Sequence, residues 1–242
     1  MNQKADYGID APNVIRNLIL IGILCLAASI TLFYLSNRTQ MIWIILTGWV
    51  FLAGVSLIIT AILMILSSKF GKIKERERIL DTLNIKGDEH ILDVGCGKGL
   101  YLIGAAKRLM NGKAAGIDIW QNEDLSGNRM ENTLQNAKSE GVLDKVHIET
   151  SDMRKMPFEN NSFDVVLSSF AIHNIYNSLE RKKALIEMIR VLKPGGKLCV
   201  IDFQHTEEYM NVFKENGIMD LNRFKTKLIF PPATVIIGIK VK

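Results

Sequence analysis

Two apolar runs near the amino terminus constrain this chain most. Residues 18–35 hold no formal charge over eighteen positions, and residues 41–66 hold none over twenty-six. As helices they would be about 27 Å and 39 Å long at ~1.5 Å per residue, against a hydrocarbon core of about 30 Å. Both are therefore predicted to span a membrane. Only Ser36-Asn37-Arg38-Thr39-Gln40 separates them, so the pair should form an antiparallel hairpin with its outer ends on one side. A cleaved secretory signal is the rival reading of the first run. It is disfavoured because no small-residue cleavage site precedes a mature domain and a second, longer run follows at once.

Lysine and arginine set the orientation. The connecting loop has only Arg38, whereas Lys4 and Arg16 precede the first run and Lys69, Lys72, Lys74, Arg76 and Arg78 follow the second. Positive-inside bias places both termini in the cytoplasm, which makes a multi-pass membrane protein with its remaining mass on the cytoplasmic side. The expected division is an anchor over 1–68, a basic juxtamembrane helix over 69–84 and a soluble domain over 85–242. The basic cluster reads either as a site for anionic headgroups, at about 1 kcal/mol per residue near the surface, or as the solvated face of its helix.

From Lys69 onward the composition changes to the mixed charged and apolar texture of a soluble domain, long enough for a sizeable core. The formal charge of +5 does not imply nucleic acid, because the soluble part lacks a basic stripe with interleaved aromatics. The three cysteines, Cys25, Cys96 and Cys199, fit neither a metal site nor a disulfide framework, and no metal is expected.

After Gly87, strand-like and helix-like runs alternate, the pattern of a doubly wound, mostly parallel α/β sheet. Strands are predicted at 90–94, 114–119, 146–150, 163–169 and 197–203, with helices at 100–110, 127–140 and 179–192 between them. Two further strands, at 223–230 and 234–241, would close a seven-stranded sheet as an antiparallel pair. Such sheets bind ligands at the carboxyl ends of their strands, and the distinctive residues fall there.

Ile91-Leu92-Asp93-Val94-Gly95-Cys96-Gly97-Lys98-Gly99 is a buried strand running into a glycine turn and then a helix. Alternate glycines let the backbone bend sharply and come close to a ligand. A dinucleotide fingerprint would need glycine where Leu100 stands, and a phosphate P-loop would need Gly-Lys-Ser/Thr, so both are disfavoured. Asp118, in Gly116-Ile117-Asp118-Ile119-Trp120, ends the second strand and can accept hydrogen bonds from both hydroxyls of a ribose; its bland alternative is a turn cap. Trp120 either covers a nucleoside or packs at the sheet edge. Asp152 and Met153 follow the third strand, where a carboxylate could take an adenine amino group and a methionine lie on the ring. Leu192-Lys193-Pro194-Gly195-Gly196 reads as a helix stop and turn into the fifth strand.

In this order, these motifs closely resemble class I S-adenosylmethionine-dependent methyltransferases, especially the group that includes ubiquinone and menaquinone methyltransferases, over about residues 79–242. The resemblance implies that S-adenosylmethionine is the cofactor. It would meet Asp93, Gly95, Cys96, Gly97 and Gly99 with its methionyl part, Asp118 with its ribose, Ile119 and Trp120 nearby, and Asp152 with Met153 at the adenine. Ser169, at the end of the fourth strand, joins the expected cofactor set. The hairpin departs from the soluble members and leaves the acceptor open.

Methyl transfer from a sulfonium is an in-line displacement, so positioning can supply much of the rate and a base is optional. His173, in Phe170-Ala171-Ile172-His173-Asn174 after the fourth strand, is the candidate base; its alternative role is to order that loop by hydrogen bonding. His205 and Tyr209 are weaker candidates for the pocket wall, and His90 and His147 are expected to be structural. With no inserted lid before the last two strands, the basic helix and the membrane surface are expected to complete the pocket around a small, hydrophobic acceptor.

Overall fold

The structure, a computed structural model, describes residues 4–35, 41–121 and 125–241; the connecting loop over 36–40 lies outside the described residues. Two long helices, α1 (Pro12–Leu35) and α2 (Met41–Leu66), stand side by side. Small residues let their backbones approach: a Cβ on Gly22 would come within 3.1 Å of the Gly54 carbonyl, and one on Gly54 within 2.9 Å of the Gly22 carbonyl. This kind of contact is favoured where lipid removes the hydrophobic drive between helices. Both helices are long and apolar enough to cross a membrane, and only 11% and 17% of their most apolar windows are buried.

α2 continues through a π-helical turn, Ser67–Gly71, into α3 (Lys72–Thr82). Beyond it the α/β domain runs β1 (His90–Val94), α4 (Leu100–Ala106), β2 (Lys113–Asp118), α5 (Met130–Ser139), β3 (Val146–Thr150), β4 (Phe163–Ser169), α6 (Ser178–Val191), β5 (Leu192–Asp202), α7 (Thr206–Glu215), β6 (Ile218–Lys225) and β7 (Thr234–Lys240). The seven strands lie in the order β3-β2-β1-β4-β5-β7-β6. Strands β1 to β5 pair in parallel, β7 runs antiparallel to β5, and β6 antiparallel to β7.

The central strands read as continuous apolar runs because both faces are covered. Ile91, Val165, Leu167, Cys199 and Ile201 face Ile79 and Leu80 of α3 and Leu102 and Ile103 of α4. Their neighbours Leu92, Val94, Val166, Leu198 and Val200 face Leu185 and Met188 of α6 and Phe213 of α7.

Two elements differ from the sequence expectation. β5 begins at Leu192, which pairs with Phe163, so the Pro-Gly-Gly segment is a kink within the strand opposite a register shift between Phe163 and Val165. β6 begins five residues earlier than expected, at Ile218. Asp220 takes a positive φ of 52° inside it, with a register shift between Met219 and Asn222. That shift breaks the period-2 pattern, while the apolar Leu228 and Phe230 that suggested a strand lie half-exposed outside it.

Neither reading of the basic cluster survives for most of its members. Lys72 and Arg76 are buried, and Lys72, Arg76 and Arg78 pair with Asp10, Glu77 and Glu75. Only Lys69 and Lys74 remain exposed and without a partner among the described residues. Arg78 is met within α3, whereas Lys72 and Arg76 are covered by the segment preceding α1, which lies across α3 and the α/β domain. Tyr7 joins the domain core, and Lys72 donates at 2.9 Å to the Tyr7 carbonyl, the Gly8 carbonyl and the Asp10 carboxylate. All three ammonium donors are thereby met.

Candidate cofactor site and its neighbours

The glycine turn is held from below. The amides of Gly95 and Cys96 donate to the Ile117 carbonyl at 2.8 and 3.0 Å, and the Gly99 amide donates to the Cys96 carbonyl at 2.8 Å. Thr133 Oγ1 donates to the Gly97 carbonyl at 2.7 Å. Gly95, Gly97 and Gly99 have φ of 74°, 51° and 81°, the left-handed region that glycine enters without strain. At Gly95 space matters as well, since a Cβ would lie 2.3 Å from the Ala171 methyl and 3.4 Å from Met153 Cε. The third-strand turn and the loop after β4 thus both close on this turn.

Two of the expected cofactor residues have buried side chains. Asp93 is 2% exposed and its carboxylate accepts from the Leu102 amide at 2.8 Å, capping the first turn of α4 from within the sheet. Burial raises its pKa from 3.8 to about 8 against the pull of that hydrogen bond. Cys96 is buried with its sulfur facing the position a Gly116 Cβ would occupy, and burial pushes its thiol well up. Both side chains pack beneath the turn.

The others stand at the strand ends. Asp118 Oδ2 accepts from the Gly97 amide at 2.8 Å, and Oδ1 accepts from the Trp120 amide at 2.6 Å and from Asn128 Nδ2 at 3.3 Å. A carboxylate has about four acceptor positions, so one remains for a ligand hydroxyl. Ile119 is 50% exposed beside it. Trp120 takes a φ of 61° and donates its indole N–H to Thr150 Oγ1 at 2.7 Å, which fixes the ring at the β2–β3 edge.

Asp152 is gripped by Arg154, whose Nε lies 2.9 and 3.0 Å from its two oxygens. Those hydrogen bonds hold its pKa below the ordinary value. An adenine amino group would have to share or displace this fork. Ser169 is half-buried at the end of β4, next to Ser168, whose hydroxyl donates to the Val94 carbonyl at 2.8 Å and ties β4 to β1.

His173 lies in the short helix following β4, 10% exposed, with Nδ1 2.8 Å from Asp202 Oδ1. The oxygen stands off the line a ring N–H would take, so this is a close polar pair rather than an aligned hydrogen bond. Asp202 is fully buried and also accepts from the amides of His173 and Phe203, at 3.2 and 2.8 Å, and from the Tyr209 hydroxyl at 3.3 Å. Tyr209 is therefore a buried prop rather than a pocket wall, and burial raises its pKa. His205 is exposed before α7. His147 pairs with Glu149 on the surface, and the His90 amide donates to Asp164.

Sequence reasoning missed Asp202 and Asn128. The rule that selected Asp118 and Asp152, a carboxylate at a strand's carboxyl end, applies equally to Ile201-Asp202-Phe203. Asn128 could not be found from pattern, because its place depends on the loop after β2. Its Oδ1 is buried without a partner, 3.9 Å from where a Gly97 Cβ would be. An orphaned acceptor there, an open carboxylate position and a turn that excludes Cβ atoms all suit a ligand bearing hydroxyl or ammonium donors. S-adenosylmethionine carries both. Among the described residues no cluster of His, Cys, Asp or Glu is arranged to hold a metal ion.

Residues 92–200 match the family described as a methyltransferase domain. A sterol 4-C-methyltransferase of Caenorhabditis elegans is 34% identical over 138 residues, 57% of this chain and 38% of that protein. A demethylmenaquinone methyltransferase of Staphylococcus aureus is 33% identical over 141 residues, 58% of this chain and 53% of that protein. The aligned segments thus span 38% and 53% of these two curated relatives. Among solved structures, a SAM-dependent methyltransferase from Aquifex aeolicus shares the fold with a TM-score of 0.56 at 22% identity, covering 69% of this chain and 89% of that one. Residues 92–200 are thus similar to a methyltransferase domain, on a fold shared with a SAM-dependent methyltransferase.

Proposed function

We propose that this chain is a membrane-anchored methyltransferase that transfers a methyl group from S-adenosylmethionine to a small, lipid-soluble acceptor at the cytoplasmic membrane face. The observation that carries the reading is the grip between the glycine turn and the segment leading into α1. Lys98, within the turn, pairs with Asp6 at 2.7 Å, and Asn136 exchanges hydrogen bonds with the Asp6 backbone. The hairpin begins at Pro12. A cofactor in this turn would therefore lie a few residues from the base of the hairpin.

Three further observations support it. The most apolar windows of α1 and α2 are largely exposed, unlike core helices of a soluble protein. Between β5 and β6 the domain has only α7 and no inserted lid, so an apolar surface is the natural cover for the acceptor. The names of the two relatives, a sterol and a demethylmenaquinone methyltransferase, point the same way. A quinone precursor, a phospholipid headgroup and a hydrophobic thiol all fit this description.

The cofactor supplies an electrophilic methyl group on a sulfonium. The chain's own contribution is placement: the glycine turn, Asp118 and Asn128 fix one partner, and the loop at 170–174 packs against that turn through Ala171. Holding nucleophile and methyl in line can supply much of the rate in such a displacement. His173, held close to Asp202, is the candidate for taking a proton from the acceptor.

The test uses membranes containing the full-length protein, incubated with methyl-labelled S-adenosylmethionine and a total lipid extract. Label in an organic-soluble product, absent with His173→Gln or Asp118→Ala, supports the proposal. Label confined to proteins or water-soluble molecules would replace it with a tethered enzyme of different specificity. No transfer by a protein that binds the cofactor would make the chain a binding module.

A further inference from the structure

At the base of the hairpin a groove of about 510 Å³ opens between α1 and α2, on the side facing the α/β domain. Its walls are mostly apolar, including Ile15 and Ile19 of α1 and Ile65 of α2, and Ser126 of the loop after β2 closes the domain end. Two cations, Arg16 and Lys69, line the same space.

Their chemistry differs from that of every buried cation nearby. Lys72, Arg76 and Lys98 have carboxylate partners. Among the described residues Arg16 has only a 3.5 Å contact with its neighbour Asn17, and Lys69 has no partner. Asp10, the last acidic residue before α1 in the sequence, already pairs with Lys72 and Ser68. Two unneutralised cations above an apolar trough suit one kind of occupant: an anionic head on a hydrocarbon tail. Arginine's planar fork matches a phosphate's oxygens in pairs, and lysine adds a second point of charge.

We propose that this groove holds one anionic phospholipid of the surrounding bilayer, its phosphate between Arg16 and Lys69 and an acyl chain along Ile15, Ile19 and Ile65. The inference rests on the reading that α1 and α2 span the membrane. Because Ser126 borders the loop that carries Asn128 to Asp118, the bound lipid would fix the domain's position at the bilayer surface.

The test uses the full-length protein in neutral detergent, with mixed phosphatidylglycerol and phosphatidylcholine, and native mass spectrometry to count and identify retained lipids. One phosphatidylglycerol retained with on the order of tenfold preference, lost in Arg16→Gln/Lys69→Gln and kept in Lys74→Gln, is expected. Lys74 lies in the same basic segment but outside the groove, so an equal loss in Lys74→Gln would mean diffuse surface attraction and overturn the proposal. Displacement of the lipid by millimolar inorganic phosphate would assign the site to a free anion and also overturn it. Resistance of the protein to carbonate extraction from membranes tests the spanning reading separately. Protein that washes off removes both readings, whereas protein that stays but shows no lipid preference removes only this one.

Discussion

Asp93→Asn isolates what burial does to a carboxyl beneath the glycine turn. In the fold Asp93 has a pKa of about 8 against an ordinary 3.8, so between those values the folded chain holds a proton that the unfolded chain has lost. Stability then falls as pH rises. Over pH 6 to 9, with the unfolded carboxyl fully ionised, the loss amounts to about 3 kcal/mol. For a domain of this size that lowers Tm by on the order of 5–10 °C. Asparagine keeps an oxygen to accept from the Leu102 amide and has no proton to lose. The assay is thermal unfolding of the detergent-solubilised protein at pH 6, 7, 8 and 9. The wild-type Tm should drop across that range by several degrees more than that of Asp93→Asn. Parallel curves would refute the reasoning, because they would mean that Asp93 is already ionised in the fold at pH 6.

Three other outcomes follow from the same geometry. Gly95→Ala puts a methyl group 2.3 Å from Ala171 at a φ of 74°; it should cost about 1–3 kcal/mol of stability and weaken cofactor binding at least tenfold, read by thermal shift with and without S-adenosylhomocysteine. Lys240 donates to Asn161 Oδ1 and to the carbonyls of Ile189 and Leu192 at 2.7 to 2.8 Å, so Lys240→Met leaves three acceptors unmet and should lower stability by about 2–5 kcal/mol without altering cofactor affinity. His173→Gln should lower kcat about 100-fold or more with little change in KM, and Asp202→Asn should lower it less; unchanged turnover in both would confine the pair to ordering the loop after β4.

Much of the fold was legible because β1, β2 and β4 are largely buried and bounded by glycine, asparagine and aspartate, so their limits show as changes of texture. The edge was harder. β6 carries a bulge at Asp220 and half-exposed residues, and its pattern gave way to the more apolar Leu228–Phe230 next to two prolines. In the site, strand-end residues were recoverable from position along the chain. What position could not reveal is which way a side chain points: Asp93 and Cys96 turn inward, and Asp152 is already held by Arg154. Least legible was the segment around Tyr7. It has no periodicity, and its place on the domain depends on distant partners, Lys72, Lys98 and Asn136.

Calorimetric titration of S-adenosylmethionine and S-adenosylhomocysteine into the full-length protein in detergent, alongside Asp118→Ala, addresses the cofactor site most directly. Micromolar binding of both ligands that the substitution weakens by 100-fold or more, about 3 kcal/mol, is the expected result. A folded protein that takes up neither ligand, or binds both equally well without the Asp118 carboxylate, would contradict the assignment of the glycine turn and Asp118 to the cofactor.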